Sequence, residues 1–240
     1  MTRARLYILA PSHFCERARW GLDHAQIPYE EVRWAVGLHV PLAKRLAPAT
    51  SLPILDTGST VIQGSGTILA WTGLAGGDPD LERRIGPLVR RYIYSATLHD
   101  RRSGIRELLL DGVPATQKAL GTLMWPVTRR LMRAGMNTRP ELVPSLEREL
   151  EAELDWFEAH LGSRDHLVGV GLGRADITAA SLLAPRPEAC PLYRKPRLPS
   201  AVEATVRRWS ERPSMRWVVQ IYAKYRNRHA VHREPGSLAT

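Results

Sequence analysis

The sequence predicts an α/β domain followed by an all-α domain, and three observations predict it. Up to about residue 75, short β-type runs alternate with helical ones. The stretch "GGDPD" (76–80) then breaks the pattern with turn residues. Beyond it, each periodic stretch has the three-to-four residue spacing of a helix.

The elements follow in order. "RLYILA" (5–10) is rich in apolar and aromatic residues and reads as a strand. "SHFCERARWGLDHAQ" (12–26) reads as a helix, with Phe14, Ala18 and Leu22 recurring on one face. "IPYEEVRWA" reads as a second strand, and "VPLAKRLAP" as a short helix that stops before Pro48. "LPILDTG" and "STVIQG" form a hairpin around Asp56, Thr57 and Gly58. "SGTILAWTGLA" is a helix opened by Ser65. The order is βαβ-α-ββα. The first two strands are expected to run parallel through a right-handed crossover. The hairpin adds antiparallel strands, so the expected sheet is mixed and four-stranded.

In the second part, apolar residues at 85, 88, 89, 92, 93 and 96 predict a helix from Ile85. Residues 115–134 predict a more basic helix. Leu146, Leu150, Leu154, Phe157 and Leu161 form a stripe closed by Gly162. "GRADITAASLLAP", "SAVEATVRRWSER" and "PSMRWVVQIYAKYR" are three more helices, the second beginning with the capping pair Ser200 and Glu203. In the last, Met215, Val218, Val219 and Tyr222 share a face. The expected organisation is a first domain at 1–76, a linker at 77–84, a helical domain at 85–230 and a disordered tail at 231–240.

Composition narrows the function. The chain has 240 residues and 44% apolar content, enough for one or two domains with a core. The opening "MTRARLYILAPS" is too short in apolar residues for a signal peptide, and no apolar run reaches the ~18 residues of a membrane helix. The expectation is a soluble cytoplasmic protein with no membrane partner. Cys15 and Cys190 make neither a disulfide framework nor a metal pattern, and the eight histidines lack ligand spacing, so no metal is expected. The net charge is +10. Its arginines are spread in pairs such as Arg83–Arg84 and Arg129–Arg130, which suits solvated helix faces rather than a nucleic-acid stripe. A site that prefers anionic ligands is the milder reading.

Three places in the first domain carry candidate chemistry. Ser12, His13 and Cys15 stand where a strand hands over to a helix, whose free N–H groups and positive dipole end favour a thiolate. The Ser12 hydroxyl could cap the helix or donate to a bound sulfur anion. Pro53 is either an ordinary trans strand starter or a cis proline. The cis form would turn the N–H and C=O of Leu52 outward, to pair with an extended peptide. Ser65, between Gly64 and Gly66, is either a cap or part of a carboxylate site at a helix N-terminus.

Taken together, "SHFCERARWGLDHAQIPYEE", "PATSLPIL", "VIQGSGTILAW" and "GLGRADITAASLLAP" resemble the glutathione S-transferase superfamily in order and spacing. The resemblance implies a thioredoxin-like first domain and a helical bundle. It implies glutathione as co-substrate, a small hydrophobic electrophile as second substrate, a detoxifying conjugation and a homodimer. It implies that Ser12 meets the glutathione sulfur and that the backbone of Leu52, before Pro53, pairs with the cysteinyl part. Ser65 would hold the γ-glutamyl carboxylate. In "GRADI" it implies Gly173 as cap, Asp176 as reciprocal acid, and Leu172 with Ile177 as an apolar staple. Tyr92 and His99, on the helix after the linker, are expected to face the co-substrate pocket.

The chain also departs from the family's pattern. Gly64 stands where an acid often meets the γ-glutamyl ammonium. No basic residue directly precedes Leu52, which leaves Lys44 and Arg45 as candidates for the glycyl carboxylate. His13 stands where proline is common, and is expected as an exposed loop residue, with proton shuttling as its other use. Cys15 corresponds to the second, buried cysteine of a C-x-x-C pair. Two further readings accompany the transferase: a non-catalytic binding protein on the same scaffold, and a Cys15-dependent glutathione thiol reductase.

Overall fold

A computed structural model describes residues 3–184 and 200–226. Cys190 and the expected tail at 231–240 lie outside the described residues.

The first domain runs β1 (Ala4–Ile8), α1 (His13–His24), β2 (Tyr29–Arg33), α2 (His39–Leu46), β3 (Ile54–Asp56), β4 (Val61–Gln63) and α3 (Ser65–Trp71). The sheet order is β2-β1-β3-β4. β1 pairs parallel with β2, while β3 is antiparallel to both β1 and β4, as expected from the sequence. Alternation along β1 sorts the layers. Leu6 and Ile8 point to one face, where Cys15, Ala18 and Leu22 of α1 and Ile68 of α3 pack. Tyr7 points to the other, against Trp34, Ala43 and Ile54, so α2 covers that side. The register Leu6↔Leu55 and Tyr7↔Ile54 keeps both faces in phase. In the hairpin turn, the Asp56 carboxylate accepts from the Gly58 N–H at 2.8 Å, and Gly58 takes a φ of 84°.

The second domain contains α4 (Pro79–Thr97), α5 (Ile105–Leu109), α6 (Ala115–Leu123), α7 (Trp125–Gly135), α8 (Val143–Leu161), α9 (Arg174–Leu183), α10 (Ser200–Ser210) and α11 (Pro213–Ile221). Its core gathers the expected α8 stripe with Ile85, Val89 and Tyr92 of α4, Ile177 of α9 and Val218 of α11. Val219, expected on the buried face of α11, is exposed. The Asp176 carboxylate accepts from the Gly173 N–H and, from its other oxygen, the Leu167 N–H, both at 2.8 Å. The next two free amides of α9, on Arg174 and Ala175, bond the carbonyls of Ala75 and Gly76, each at 2.9 Å. The connector between the domains is thereby pinned to the start of α9.

Two expectations need correction, and one helix was not expected. The segment 77–84, expected as linker, enters α4 at Pro79, because Asp78 caps the helix by accepting from the Asp80 and Leu81 N–H groups. The basic helix of 115–134 is two helices meeting at Met124. The five-residue α5 is too short to show a period in sequence.

α1 is buried on every side: each residue from Cys15 to Asp23 is enclosed. Ala18 and Leu22 face the sheet, while Trp20 enters the helical core and lies 4.5 Å, ring to ring, from Tyr222. The charged residues between them form one chain of ion pairs. Glu31 on β2 accepts from Arg19 at 2.6 Å and from Arg33 at 2.7 Å. Arg19 also meets Glu16 at 3.5 Å. Glu16 accepts from Arg226 at 2.7 Å, and Arg226 reaches Asp23 at 2.6 Å. Arg226 ends the π-helical turn Tyr222–Arg226 that follows α11. Burial alone would raise the Glu31 carboxyl, but Arg19 and then Arg33 outweigh it and pull it down to about 2.

Removing Arg226 leaves Glu16 and Asp23 enclosed without that cation. Arg226→Met is expected to destabilise the protein by about 3–5 kcal/mol, read as a fall in the urea midpoint. An unchanged midpoint contradicts the role given to this ion chain.

Candidate functional site

Ser12 takes the N-cap position of α1 in extended backbone, and its hydroxyl accepts from the Cys15 N–H at 3.4 Å. Cys15 is fully enclosed against the sheet; burial pushes its thiol up, only partly offset by Arg19 and by the Ser12 hydroxyl. That is the chemistry of an inert packed thiol rather than of a nucleophile. His13, expected as an exposed loop residue, is the first residue of α1. Its Nε2 is enclosed without a hydrogen-bond partner, and its ring lies 4.4 Å from that of Phe14. Burial, with the charge of Arg90 added, drives its pKa down to about 3.

The Leu52–Pro53 bond is cis. Among the described residues the Leu52 backbone takes no hydrogen bond within the chain, whereas the Pro53 carbonyl accepts from the Gly64 N–H at 3.0 Å. Gly64 is the cap of α3 with a φ of 93°, so a residue with a side chain is disfavoured there. Ser65 is therefore the first helical residue and not the cap. Its hydroxyl lies 2.6 Å from Nη2 of Arg17, which is completely buried in α1.

Leu52, Gly64, Ser65 and Gly66 line one wall of a cavity of about 470 Å³. Phe14 contributes from α1, and Asp78, Arg90, Arg174 and Thr178 contribute from the helical domain. The residues around this cavity include neither Ser12 nor His13. Two guanidinium groups face it against one carboxylate, and that carboxylate already caps α4. With the N-terminus of α3 and Arg17 behind Ser65, the wall favours anions. Among the described residues no cluster suited to holding a metal ion occurs.

The match with known proteins follows this geometry. Residues 6–73 match the model of the glutathione S-transferase N-terminal domain. The matched segment is thus similar to the first domain of the glutathione S-transferases. The glutathione S-transferase CsGST63524 of Ceriporiopsis subvermispora, solved in complex with glutathione, is similar over 97% of this chain and 100% of its own, at 14% identity and a TM-score of 0.60. Glutathione transferase GSTFuA3 from Phanerochaete chrysosporium covers 94% and 98% at 13% identity and 0.57. Beta-etherase LigF from Sphingobium sp. strain SYK-6 covers 91% and 99% at 18% identity and 0.51. At such identities these structures speak for the fold: a glutathione S-transferase thioredoxin-like domain followed by a helical domain. No curated protein matches the chain.

Within that fold, the two residues expected at the co-substrate pocket are elsewhere. Tyr92 is buried in the helical core beside Trp209, its rings 5.3 Å apart. His99 follows α4 and its Nε2 lies 3.0 Å from the Thr138 carbonyl oxygen. The reason is the period that predicted the helix: Ile85, Val89, Tyr92 and Ala96 form its core stripe. The face that meets α1 carries Gly86 and Arg90, with Tyr94 one turn further along it. A Cβ on Gly86 would lie 2.8 Å from the Phe14 ring. The Arg90 guanidinium sits 5.5 Å above that ring. Burial pushes the Tyr94 hydroxyl up to about 12, so it stays a donor at neutral pH. Arg17, Asp78 and Arg174 carry no local signal: packing of α1 on α3 brings Arg17 to Ser65, and docking of the two domains brings Asp78 and Arg174 to the cavity.

His13 carries a pH prediction. Its folded value lies near 3 against an ordinary 6.5, so the unfolded chain takes up a proton that the folded one refuses. Stability is then lost as pH falls from 6.5 toward 3, and is fully present above that window. NMR is expected to show the His13 ring neutral throughout about pH 5 to 8. Titration of that ring near its ordinary value contradicts the burial described.

Proposed function

We propose that this protein is a glutathione transferase that joins the glutathione thiolate to a hydrophobic electrophile. The observation that carries the reading is the cavity wall built jointly from Leu52, ahead of cis-Pro53, and from the N-terminus of α3 at Gly64 and Ser65. An extended peptide pairs with a free strand-edge backbone, and a carboxylate fits a helix N-terminus carrying a hydroxyl. Arg17 strengthens that end of the site, because its buried cation lies 2.6 Å from the same Ser65 oxygen. The solved glutathione complex of a fold relative agrees with the ligand class.

Asp78 answers the question raised by Gly64. It is an acid on the cavity wall, supplied by the helical domain, and it takes the γ-glutamyl ammonium in this reading. Ser12 and the free amides of α1 stabilise the thiolate, which then attacks the electrophile. Arg90, which lines the cavity, replaces Tyr92 and His99 as the residue of this region nearest that chemistry. Cys15 takes no part, being enclosed with its thiol pushed up. A homodimer in the cytoplasm belongs to the same reading.

A non-catalytic glutathione-binding protein is the second reading. One observation favours it: Phe14, not Ser12, lines the cavity, while the Ser12 hydroxyl is engaged with the Cys15 N–H.

Calorimetry with glutathione and a conjugation assay with an aryl halide separate the two. Under the transferase reading Ser12→Ala lowers kcat by at least about tenfold with little change in glutathione affinity. Binding without turnover by the unaltered protein selects the second reading, and no binding sinks both. Asp78→Asn keeps a capping side chain but removes the charge, and is expected to weaken glutathione binding about tenfold. Unchanged affinity removes Asp78 from the site.

A further inference from the structure

α6 and α7 have two apolar faces, and only one of them is used by the fold. The i→i−4 hydrogen bonds continue through their junction, from the Met124 N–H to Leu120 and from the Thr128 N–H to Met124. Inward, Trp125 and Met132 join a core cluster with Ala35, Leu98 and Ile105. Thr128 lies so close to Gly37 that a Cβ there would sit 2.7 Å from its hydroxyl oxygen. Outward, Leu120, Leu123, Met124, Val127 and Leu131 recur at three- and four-residue steps, which is a single helical face. They are 47%, 76%, 39%, 53% and 67% exposed, so they stand proud of the surface. Isolated exposed apolar residues need no explanation, whereas a contiguous helical stripe of five does.

The charge beside this stripe says what covers it. Between Asp111 and Glu141 the sequence has no acidic residue and five cations: Lys118, Arg129, Arg130, Arg133 and Arg139. Lys118, Arg130, Arg133 and Arg139 are exposed. Arg130 follows Val127 by three positions and so borders the stripe directly.

We infer that the outer face of α6 and α7 docks this protein on an anionic phospholipid bilayer. The leucines, valine and methionine sink into the acyl boundary while the cations meet the headgroups, in the manner of an interfacial amphipathic helix. A second copy of the chain is disfavoured, because a twofold axis through this face would set its unbalanced cations against themselves. A protein partner is disfavoured by side-chain type, since leucine and valine are under-represented at the anchor positions of protein interfaces. No described helix is long and apolar enough to cross a membrane, so the contact is interfacial. This departs from the expectation of no membrane partner, which rested on the lack of a spanning segment.

Flotation of the full-length protein with vesicles tests the inference. Vesicles of phosphatidylglycerol and phosphatidylcholine are expected to carry the protein, and pure phosphatidylcholine vesicles to leave it behind. Raising salt from about 0.1 M to about 1 M releases it, as shortened screening distance requires. The pair Leu123→Glu with Leu131→Glu, and separately Arg130→Glu with Arg133→Glu, each lower partitioning at least about tenfold with thermal unfolding unchanged. Any of these results overturns it: no flotation with anionic vesicles, equal flotation with neutral ones, or full binding by both paired variants. A dimer in light scattering that Leu123→Glu with Leu131→Glu dissolves also overturns it, and assigns the face to a second copy.

Discussion

The ion chain around α1 is the constraint on which the rest of the structure depends. A helix buried between a sheet and a helical bundle is expected to be apolar all round. α1 instead encloses Glu16, Arg17, Arg19 and Asp23. Enclosed charges are costly unless paired with good geometry, and breaking one pair costs more than never having had it. The partners come from both sides of the molecule, Glu31 on β2 and Arg226 beyond α11. The pairing therefore fixes α1 in rotation and depth against two domains at once.

That placement builds the site. α1 presents Ser12 at its free N-terminus, Phe14 toward the groove of α4, and Arg17 toward Ser65. The sheet supplies Leu52 and the start of α3, and the helical domain supplies Asp78, Arg90 and Arg174. The amides of Arg174 and Ala175 hold the connector at Ala75 and Gly76, beside the same cavity. The first domain supplies Arg17 and the start of α3, and the helical domain adds Arg90 and Arg174, so both sides of the seam favour anions.

Much of this was legible in the sequence, for reasons that differ by element. The four strands and their order were readable because apolar runs are short and bounded by turn residues, as at Asp56–Gly58. α8 was readable from its stripe, and α9 from Asp176 three residues after Gly173. The start of α4 was hidden because Asp78 looks the same in a turn and in a cap. In the cavity wall, Leu52, Gly64 and Ser65 are marked by local signals, a proline and paired glycines beside a serine. Asp78, Arg90 and Arg174 gain meaning only when two domains meet, and Arg17 only when α1 packs on α3; a linear pattern records neither contact. Tyr92 was misplaced although its own period marked it as core.

The reach of Arg226 back to Glu16 spans nearly the whole chain. α1 and the turn after α11 are thereby fastened together inside the molecule, and the apparent boundary near residue 76 is not a line along which it separates. Trp20 and Leu69 add to this, since both are enclosed by the helical core rather than by their own domain. A graft of the first module onto another helical partner would carry unmatched carboxylates and a bared indole into the new seam.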